Sequence, residues 1–292
     1  MMDLVKVRAC MSVADADQHA LVLTALGIPS FVISEDDRIG LYTSPETEAE
    51  ARRQLGAYDE EERRRQRARR PFRSRLPRLE GLLAVWALML FFFSVDTWGV
   101  FGTGWTAHGA AQAGAIVSGE WWRAVTALFL HADASHILGN MVLGSAVGVL
   151  VTMVLGSGAG WFAILVAGAL GNGVNALINP AAHASIGAST AVFAALGILA
   201  GFNQVSSALA WHRGLRRWGP VAAGAALLVF LGTAGERTDV SAHVAGFFVG
   251  ALVGLIAGRY GQTLIARRRV QIWCGVAAVS LVVLAWTLAM TA

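Results

Sequence analysis

Residues 241–258 read Ser-Ala-His-Val-Ala-Gly-Phe-Phe-Val-Gly-Ala-Leu-Val-Gly-Leu-Ile-Ala-Gly. The stretch is apolar except for His243 and the serine at its start, and glycine recurs at every fourth position from Gly246 to Gly258. A spacing of four residues keeps these glycines on one face of a helix, where a second helix can approach closely. We therefore predict a membrane-spanning helix that carries a single histidine along its closely packed face.

Six more stretches share this apolar character, and each is near the roughly 20 residues that a helix needs to cross a hydrocarbon core. They are residues 81–98, 137–155, 161–178, 187–205, 219–235 and 270–290. The 292-residue chain is 55% hydrophobic and 14% charged, with mean hydropathy +0.56, whereas soluble domains carry about 25% charged residues. We expect an all-α polytopic integral membrane protein with a bundle of seven transmembrane helices. This composition excludes a disordered, collagen-like or disulfide-rich secreted chain.

The net charge of +4 comes from arginines clustered between the apolar stretches, a distribution typical of membrane proteins rather than of nucleic-acid-binding surfaces. If the N-terminus is cytoplasmic, the cytoplasmic connections from Arg63 onward carry sixteen arginines, and the outside connections carry only Arg123 and Arg237. The sixteen are Arg63, Arg64, Arg65, Arg67, Arg69, Arg70, Arg73, Arg75, Arg78, Arg213, Arg216, Arg217, Arg259, Arg267, Arg268 and Arg269. The positive-inside rule then predicts a cytoplasmic N-terminus and an external C-terminus, and no nucleic-acid partner is expected.

The first 60 residues have a soluble character, with alternating apolar residues from Leu4 to Ala9 and helical spacing from Ala14 to Gly27. Two short strand patterns and a polar helix opening at Ser44-Pro45-Glu46 and running toward Ala57 follow, so we predict a small α/β module of order β-α-β-β-α. Residues 61–79 are expected to form an Arg-rich linker. Cys10 and Cys274 lie in unlike regions and are predicted to be two unpaired thiols.

A second polar position lies in Ile186-Gly187-Ala188-Ser189-Thr190-Ala191. A membrane serine often only bonds its own helix backbone, which is the alternative interpretation of Ser189. Gly187 favours a function, because glycine just before a helix lets the chain bend and exposes backbone N–H groups that can stabilise an oxyanion. Phe193, Gly197 and Gly201 continue the Ser189 face, so the serine and histidine helices both offer a face for close packing.

A third polar group begins the span that follows the long external connection, in His131-Ala132-Asp133-Ala134-Ser135-His136-Ile137-Leu138-Gly139-Asn140. His136 and Asn140 are four residues apart and share one helical face. A polar helix start that fades into the bilayer explains His131 better than it explains Asn140. We expect no metal here, because the five-residue spacing of His131 and His136 suits one helical face poorly and no carboxylate or cysteine partner follows.

These motifs together resemble the rhomboid intramembrane serine proteases. The resemblance rests on Glu120-Trp121-Trp122-Arg123, on His131, His136 and Asn140, on Gly187-Ala188-Ser189, and on Ala242-His243 with Gly246 and Gly250. It covers about residues 81–258, and the seven predicted spans are similar to the family's six-plus-one form. The expected divisions are a rhomboid catalytic domain of six helices at 80–260 and an additional helix at 261–292.

The resemblance implies that Ser189 is the nucleophile and His243 the general base of a dyad without an acidic third member. Asp239, one turn before His243, is accordingly not expected to join them. By the same resemblance, His136, Asn140 and the Ser189 N–H stabilise the oxyanion, Gly187 and Gly246 support the site, and Phe193 stacks on the histidine ring.

Further implied residues shape the first external loop. The resemblance assigns this role to Arg123 with Trp122, and makes Glu120 and His131 their hydrogen-bond partners. One departure stands out, since the family usually has glycine after the serine, and Thr190 occupies that position. Its side chain could crowd His243 or bond the preceding turn.

The expected activity is hydrolysis of a peptide bond in or near the transmembrane segment of another membrane protein, within the lipid bilayer and without a cofactor. The expected location is a bacterial inner membrane, and the sequence indicates no oligomeric state. One alternative is a non-catalytic rhomboid-like protein that binds membrane clients, favoured only by Thr190. The other alternative is a channel or transporter. Such a protein is expected to carry ionisable groups at mid-membrane depth or inverted repeats, and we identify neither in this sequence.

Overall fold

A computed structural model describes residues 3–35, 38–68, 79–100, 104–205, 218–232, 239–261, 265 and 267–292. The chain divides into two compact units, Met1–Pro71 and Phe72–Ala292. Each unit has its own core of buried side chains. Cys10 and Cys274 are both free thiols, as the sequence predicts.

The first unit has the predicted order of strands and helices. Its elements are β1 (Val5–Cys10), α1 (Val13–Ala25), β2 (Phe31–Glu35), β3 (Arg38–Thr43) and α2 (Glu48–Ala68). The strands form an antiparallel sheet in the order β1-β3-β2. Apolar residues of the helices, strands and connecting turn form its core: Val7, Leu23, Ile28, Leu41, Ala51 and Leu55. The small N-terminal α/β module is therefore confirmed.

Helix α2 continues past Ala57, where the sequence pattern loses its apolar residues, and ends at Ala68. Charged pairs at helical spacing support it, for example Arg52 with Glu48 at 2.9 Å, since side chains three or four residues apart meet on a helix surface. Part of the predicted linker is thus helical. Residues 69–78, which include five of the clustered arginines, lie outside the described residues, as do Arg213, Arg216, Arg217 and Arg237.

The regular elements in the described part of the second unit are helices, apart from one two-residue strand pair, β4 (Ala111–Gln112) with β5 (Ala184–Ser185). Its long helices are α3 (Leu79–Thr97), α7 (Ala134–Leu155), α8 (Ser157–Ile178), α9 (Ser189–Val205), α10 (Gly219–Gly232), α11 (Val240–Ile256) and α12 (Arg268–Thr291). Three short helices occupy the connection after α3: α4 (Trp105–Gly109), α5 (Ala113–Val117) and α6 (Arg123–Thr126). Each of the seven predicted apolar stretches therefore contains a helix.

Five of these helices are long and apolar enough to cross a membrane: α3, α7, α8, α12, and α11 with its continuation to Arg259. Helix α9 has 17 described residues and α10 has 14, and residues 206–217 and 233–238, which follow them, lie outside the described residues. At 1.5 Å per residue, the described part of α9 is about 26 Å long, against a hydrocarbon core of about 30 Å. Nearly every residue from Thr190 to Asn203 is buried by protein.

Helix α9 packs most closely against α11, through the two glycine faces that the sequence predicts. A methyl group added at Gly250 would overlap the backbone of Ala194, and one added at Gly197 would overlap the backbone of Phe247. Gly254 likewise faces Ile198 backbone. The two backbones are thus in direct contact, and no larger residue fits between them without moving a helix.

We predict that Gly250→Ala destabilises the protein by about 1–3 kcal/mol, because the added methyl must push α9 and α11 apart. The measurement is thermal unfolding of the full-length protein in detergent. Gly173→Ala is the matched control, since Gly173 also lies inside a helix but has nothing within 4 Å of the added methyl. Equal unfolding temperatures for the two variants would contradict the close packing.

Candidate active site

Ser189 is the first residue of α9, directly after a turn that requires glycine. Gly187 has φ +125°, a conformation that L side chains rarely adopt. Its N–H donates to the carbonyl of Ala127 at 2.9 Å, which fixes the turn against the connection between α3 and α7. The helix begins at Ser189, so the N–H groups of its first turn have no partner within the helix.

His243 lies in the first turn of α11 and reaches Ser189 across the glycine interface. Its Nε2 is 2.8 Å from Ser189 Oγ, and the residue is only 4% exposed. Phe193 stacks on the imidazole, with ring centroids 4.5 Å apart and an interplanar angle of 17°. His243 Nδ1 is buried and has no hydrogen-bond partner among the described residues. A neutral imidazole can therefore accept the Ser189 proton at Nε2, with no carboxylate on the other ring nitrogen.

His136 and Asn140 lie on the other side of the Gly187 turn. A methyl group at Gly187 would be 2.7 Å from His136 Nε2 and 3.7 Å from Asn140 Nδ2. Asp133 caps α7 by accepting the His136 N–H at 2.8 Å, which fixes the first turn of this helix. Asn140 Nδ2 donates one proton to the His136 carbonyl at 3.1 Å, and its second proton can be offered to a bound group.

His131 is placed differently from the expectation that it bonds the Trp122-Arg123 pair. The Ala188 N–H points at its Nε2 over a long 3.4 Å contact, and its Nδ1 lies 3.3 Å from the Phe129 carbonyl. Burial, together with the nearby His136 ring, lowers the pKa of His131 to about 4. His131 is therefore neutral at neutral pH, with the proton on Nδ1 and Nε2 as acceptor.

Arg123 instead connects parts of the chain between α3 and α7. Its Nε donates to Glu120 Oε2 at 2.5 Å, which is the pair that the sequence motif predicts. Its Nη1 also donates to the carbonyls of Ala107 at 2.9 Å and Ala110 at 3.3 Å. The Arg123 guanidinium thus links the end of α4 to Glu120 within the connection between α3 and α7.

The Thr190 side chain is accommodated beside the histidine helix, because its methyl group lies between two glycines. Methyl groups at Gly171 of α8 and Gly246 of α11 would come within 2.9 Å and 3.0 Å of Thr190 Cγ2. Thr190 itself is 3% exposed. Gly246 thus leaves room for the Thr190 side chain, and it also allows α9 and α11 to approach closely.

The sequence interpretation missed a polar cluster around Asp239 at the start of α11. It contains Asn175 of α8, Asn179 directly after that helix, His183 and Ser241. A signal was available, since Asn172, Asn175 and Asn179 follow a three- and four-residue spacing within an otherwise apolar run. The described ranges contain no group of three or more His, Cys, Asp or Glu side chains arranged to hold a metal ion.

We predict that Gly187→Ala lowers the reactivity of Ser189 toward an electrophilic serine probe by about 100-fold, since small displacements of reacting groups have effects of this size. The methyl would meet the His136 ring and also force a strained backbone angle. Gly119→Ala is the control, because Gly119 has φ +115° but open space around the added methyl. An equal effect of the two variants would mean that backbone strain alone is responsible.

Comparison with known proteins relates this arrangement to one family. Residues 118–260 match the family model of the Rhomboid domain. The chain is 30% identical to "Rhomboid-like protease 2" of Toxoplasma gondii over 47% of its own length and 48% of the relative's. It is 28% identical to "Rhomboid protease GluP" of Bacillus subtilis over 63% of its own length and 36% of the relative's. The chain thus spans about half or less of the length of these curated relatives.

Ser189, His243, His136 and Asn140 all fall inside the matched segment. The long apolar helices are those of an integral membrane protein, and the N-terminal unit contributes a small strand module. The match to the domain model identifies residues 118–260 of the chain as a rhomboid domain.

Proposed function

We propose that this chain is an intramembrane serine endopeptidase that cleaves a peptide bond in or near a transmembrane segment of other membrane proteins. The observation that carries the proposal is the 2.8 Å contact between Ser189 Oγ and His243 Nε2 at the buried meeting point of α9 and α11. A structural serine at this position has no need of a buried imidazole. The names of the related proteases support the same activity.

In the first chemical step, Ser189 Oγ attacks the scissile carbonyl carbon while its proton passes to His243 Nε2. The imidazolium that forms is stacked on Phe193, and an aromatic face stabilises a cation. His243 then gives the proton to the leaving amine, the C–N bond breaks, and an acyl-enzyme remains on Ser189. Water attacks this ester with His243 again as base, which releases the carboxylate product and restores the serine.

The negative charge of each tetrahedral intermediate falls on the former carbonyl oxygen, beside the Gly187 turn. The Ser189 N–H, the second Asn140 amide proton and the His136 ring are the donors that we assign to it. Preorganised donors of this kind typically contribute about 10²–10³ in rate each. Hydrolysis of the acyl-enzyme requires water at the site. The position of these groups near helix ends suits this step, because backbone at mid-membrane depth cannot face lipid without hydrogen-bond partners.

We infer the placement in the membrane from the arginine distribution and the family. The N-terminus and residues 1–60 would be cytoplasmic and the C-terminus external, in a bacterial inner membrane. The proposed divisions are a linker at 61–79, the six-helix catalytic domain at 80–260 and the added helix at 261–292. Substrate segments would enter from the bilayer and unwind locally before reaching Ser189.

Labelling of the detergent-purified full-length protein with a fluorophosphonate probe tests the dyad. We expect Ser189→Ala to abolish labelling and His243→Ala to slow it by about 10²–10⁴-fold, which is the usual contribution of a general base. His136→Ala and Asn140→Ala should each slow it by about 10²–10³-fold. Ser118→Ala, at an exposed loop serine, should label at the wild-type rate.

Cleavage of a fluorogenic transmembrane peptide in proteoliposomes then tests the protease activity itself. Folded wild-type protein that neither labels nor cleaves would contradict the proposal and favour the client-binding alternative. Labelling without cleavage would retain the activated serine and exclude the substrate class that we propose.

A further inference from the structure

The carboxylate of Asp239 joins three segments at the end of the bundle where Ser189 and His243 meet. Its Oδ2 lies 2.8 Å from His183 Nε2 and 2.8 Å from Asn175 Nδ2. Asn175 belongs to α8, and His183 belongs to the connection between α8 and α9. Asp239 itself is the cap residue of α11, so one oxygen atom links both preceding segments to the histidine helix.

The second oxygen of Asp239 holds the first turn of that helix. Its Oδ1 accepts the Ala242 N–H at 3.0 Å and the Ser241 hydroxyl at 2.8 Å. The Asp239 carbonyl accepts the N–H of His243 at 3.2 Å. The position of this one residue therefore determines where α11 starts, and His243 follows one turn later.

Asp239 is ionised at neutral pH. Burial opposes its charge, but the Ala242 N–H, the His183 ring and the Ser241 hydroxyl outweigh burial and lower the pKa of Asp239 below its ordinary value. A carboxylate can only accept hydrogen bonds, so the contact with His183 requires that His183 Nε2 carries a proton. Hydrogen bonds to a charged acceptor are about twice as strong as neutral ones.

His183 is also fixed from the opposite side, through its main chain. Its carbonyl accepts the Ala113 N–H at 2.8 Å, and the next two residues form the strand β5 that pairs with β4. The connection that leads to Gly187 and Ser189 is therefore attached by its backbone to the connection between α3 and α7. It is attached to α11 by the His183 side chain.

We propose that His183 and Asp239 are positioning residues, and that the hydrogen bond between them sets the distance from Ser189 Oγ to His243 Nε2. This inference rests on the proposed function, because it assigns a catalytic use to that distance. No acidic group contacts His243 Nδ1 among the described residues, so no carboxylate orients the ring by a hydrogen bond. Asp239 acts through the helix instead, by holding α11 to the segment that carries Ser189.

The rate of fluorophosphonate labelling in His183→Leu and His183→Gln measures this role. His183→Leu removes the donor to Asp239, and we expect labelling to slow by about 10–100-fold, as displacements near 1 Å produce. Glutamine places its Nε2 about as far from the backbone as the histidine Nε2, so His183→Gln should restore most of the wild-type rate. Unfolding temperatures of both variants are measured alongside.

His108→Leu is the matched control, because His108 is an exposed histidine whose side-chain partner among the described residues is the carbonyl of Gly104, the cap of its own short helix. It should label at the wild-type rate. In a double-mutant cycle, adding Asp239→Asn to His183→Leu should slow labelling no further than the slower single variant, since both changes break the same bond.

Several outcomes would overturn the inference. One is wild-type labelling of His183→Leu, and another is equal slowing in His183→Leu and His183→Gln with equally lowered unfolding temperatures, which would indicate a merely structural residue. Hydrogen exchange gives a reading that does not depend on catalysis: His183→Leu, but not His183→Gln, should speed exchange in residues 180–186 and 240–243. If wild-type protein never labels, the proposed function fails. Unchanged hydrogen exchange in His183→Leu would separately refute the role of the His183–Asp239 hydrogen bond.

Discussion

The direct contact between the backbones of α9 and α11 is the constraint on which the site depends. Glycines at Gly197 and Gly250 remove the side chains that would otherwise separate these helices. Only at this spacing can a short serine side chain reach a histidine on the facing helix at 2.8 Å. Because lipid is as apolar as the helices, such contacts are stabilised by packing and hydrogen bonds rather than by hydrophobic burial.

The polar groups of the site lie where each helix begins, and each helix start is held by a neighbouring residue. Asp133 caps α7, Asp239 caps α11, and the Gly187 N–H is bonded to Ala127 before α9. Caps and turns therefore fix the positions of the polar side chains in this bundle. The interior below them is apolar, with side chains such as Val151, Ile198 and Phe202 fully buried.

Much of this could be predicted from sequence because periodicity and glycine spacing are local properties. All seven apolar stretches contain helices, and the faces bearing Ser189 and His243 do meet. Helix bounds were predicted less well, since α2 is extended by charged pairs and α9 begins at Ser189, two residues after the start of the predicted stretch. The partners of His131 and the His183–Asp239 bond were missed, because they join segments distant in sequence and depend on a connection without periodic pattern.

The burial of α9 also separates it from the surrounding bilayer. Helix α11 presents exposed apolar residues along one face, among them Phe248, Leu252 and Ile256, whereas α9 is enclosed over almost its whole length. Hydrophobic mismatch acts on helices in contact with lipid, which tilt or shift when membrane thickness changes. The Ser189–His243 pair therefore joins a helix that responds to bilayer thickness to one that is insulated from it.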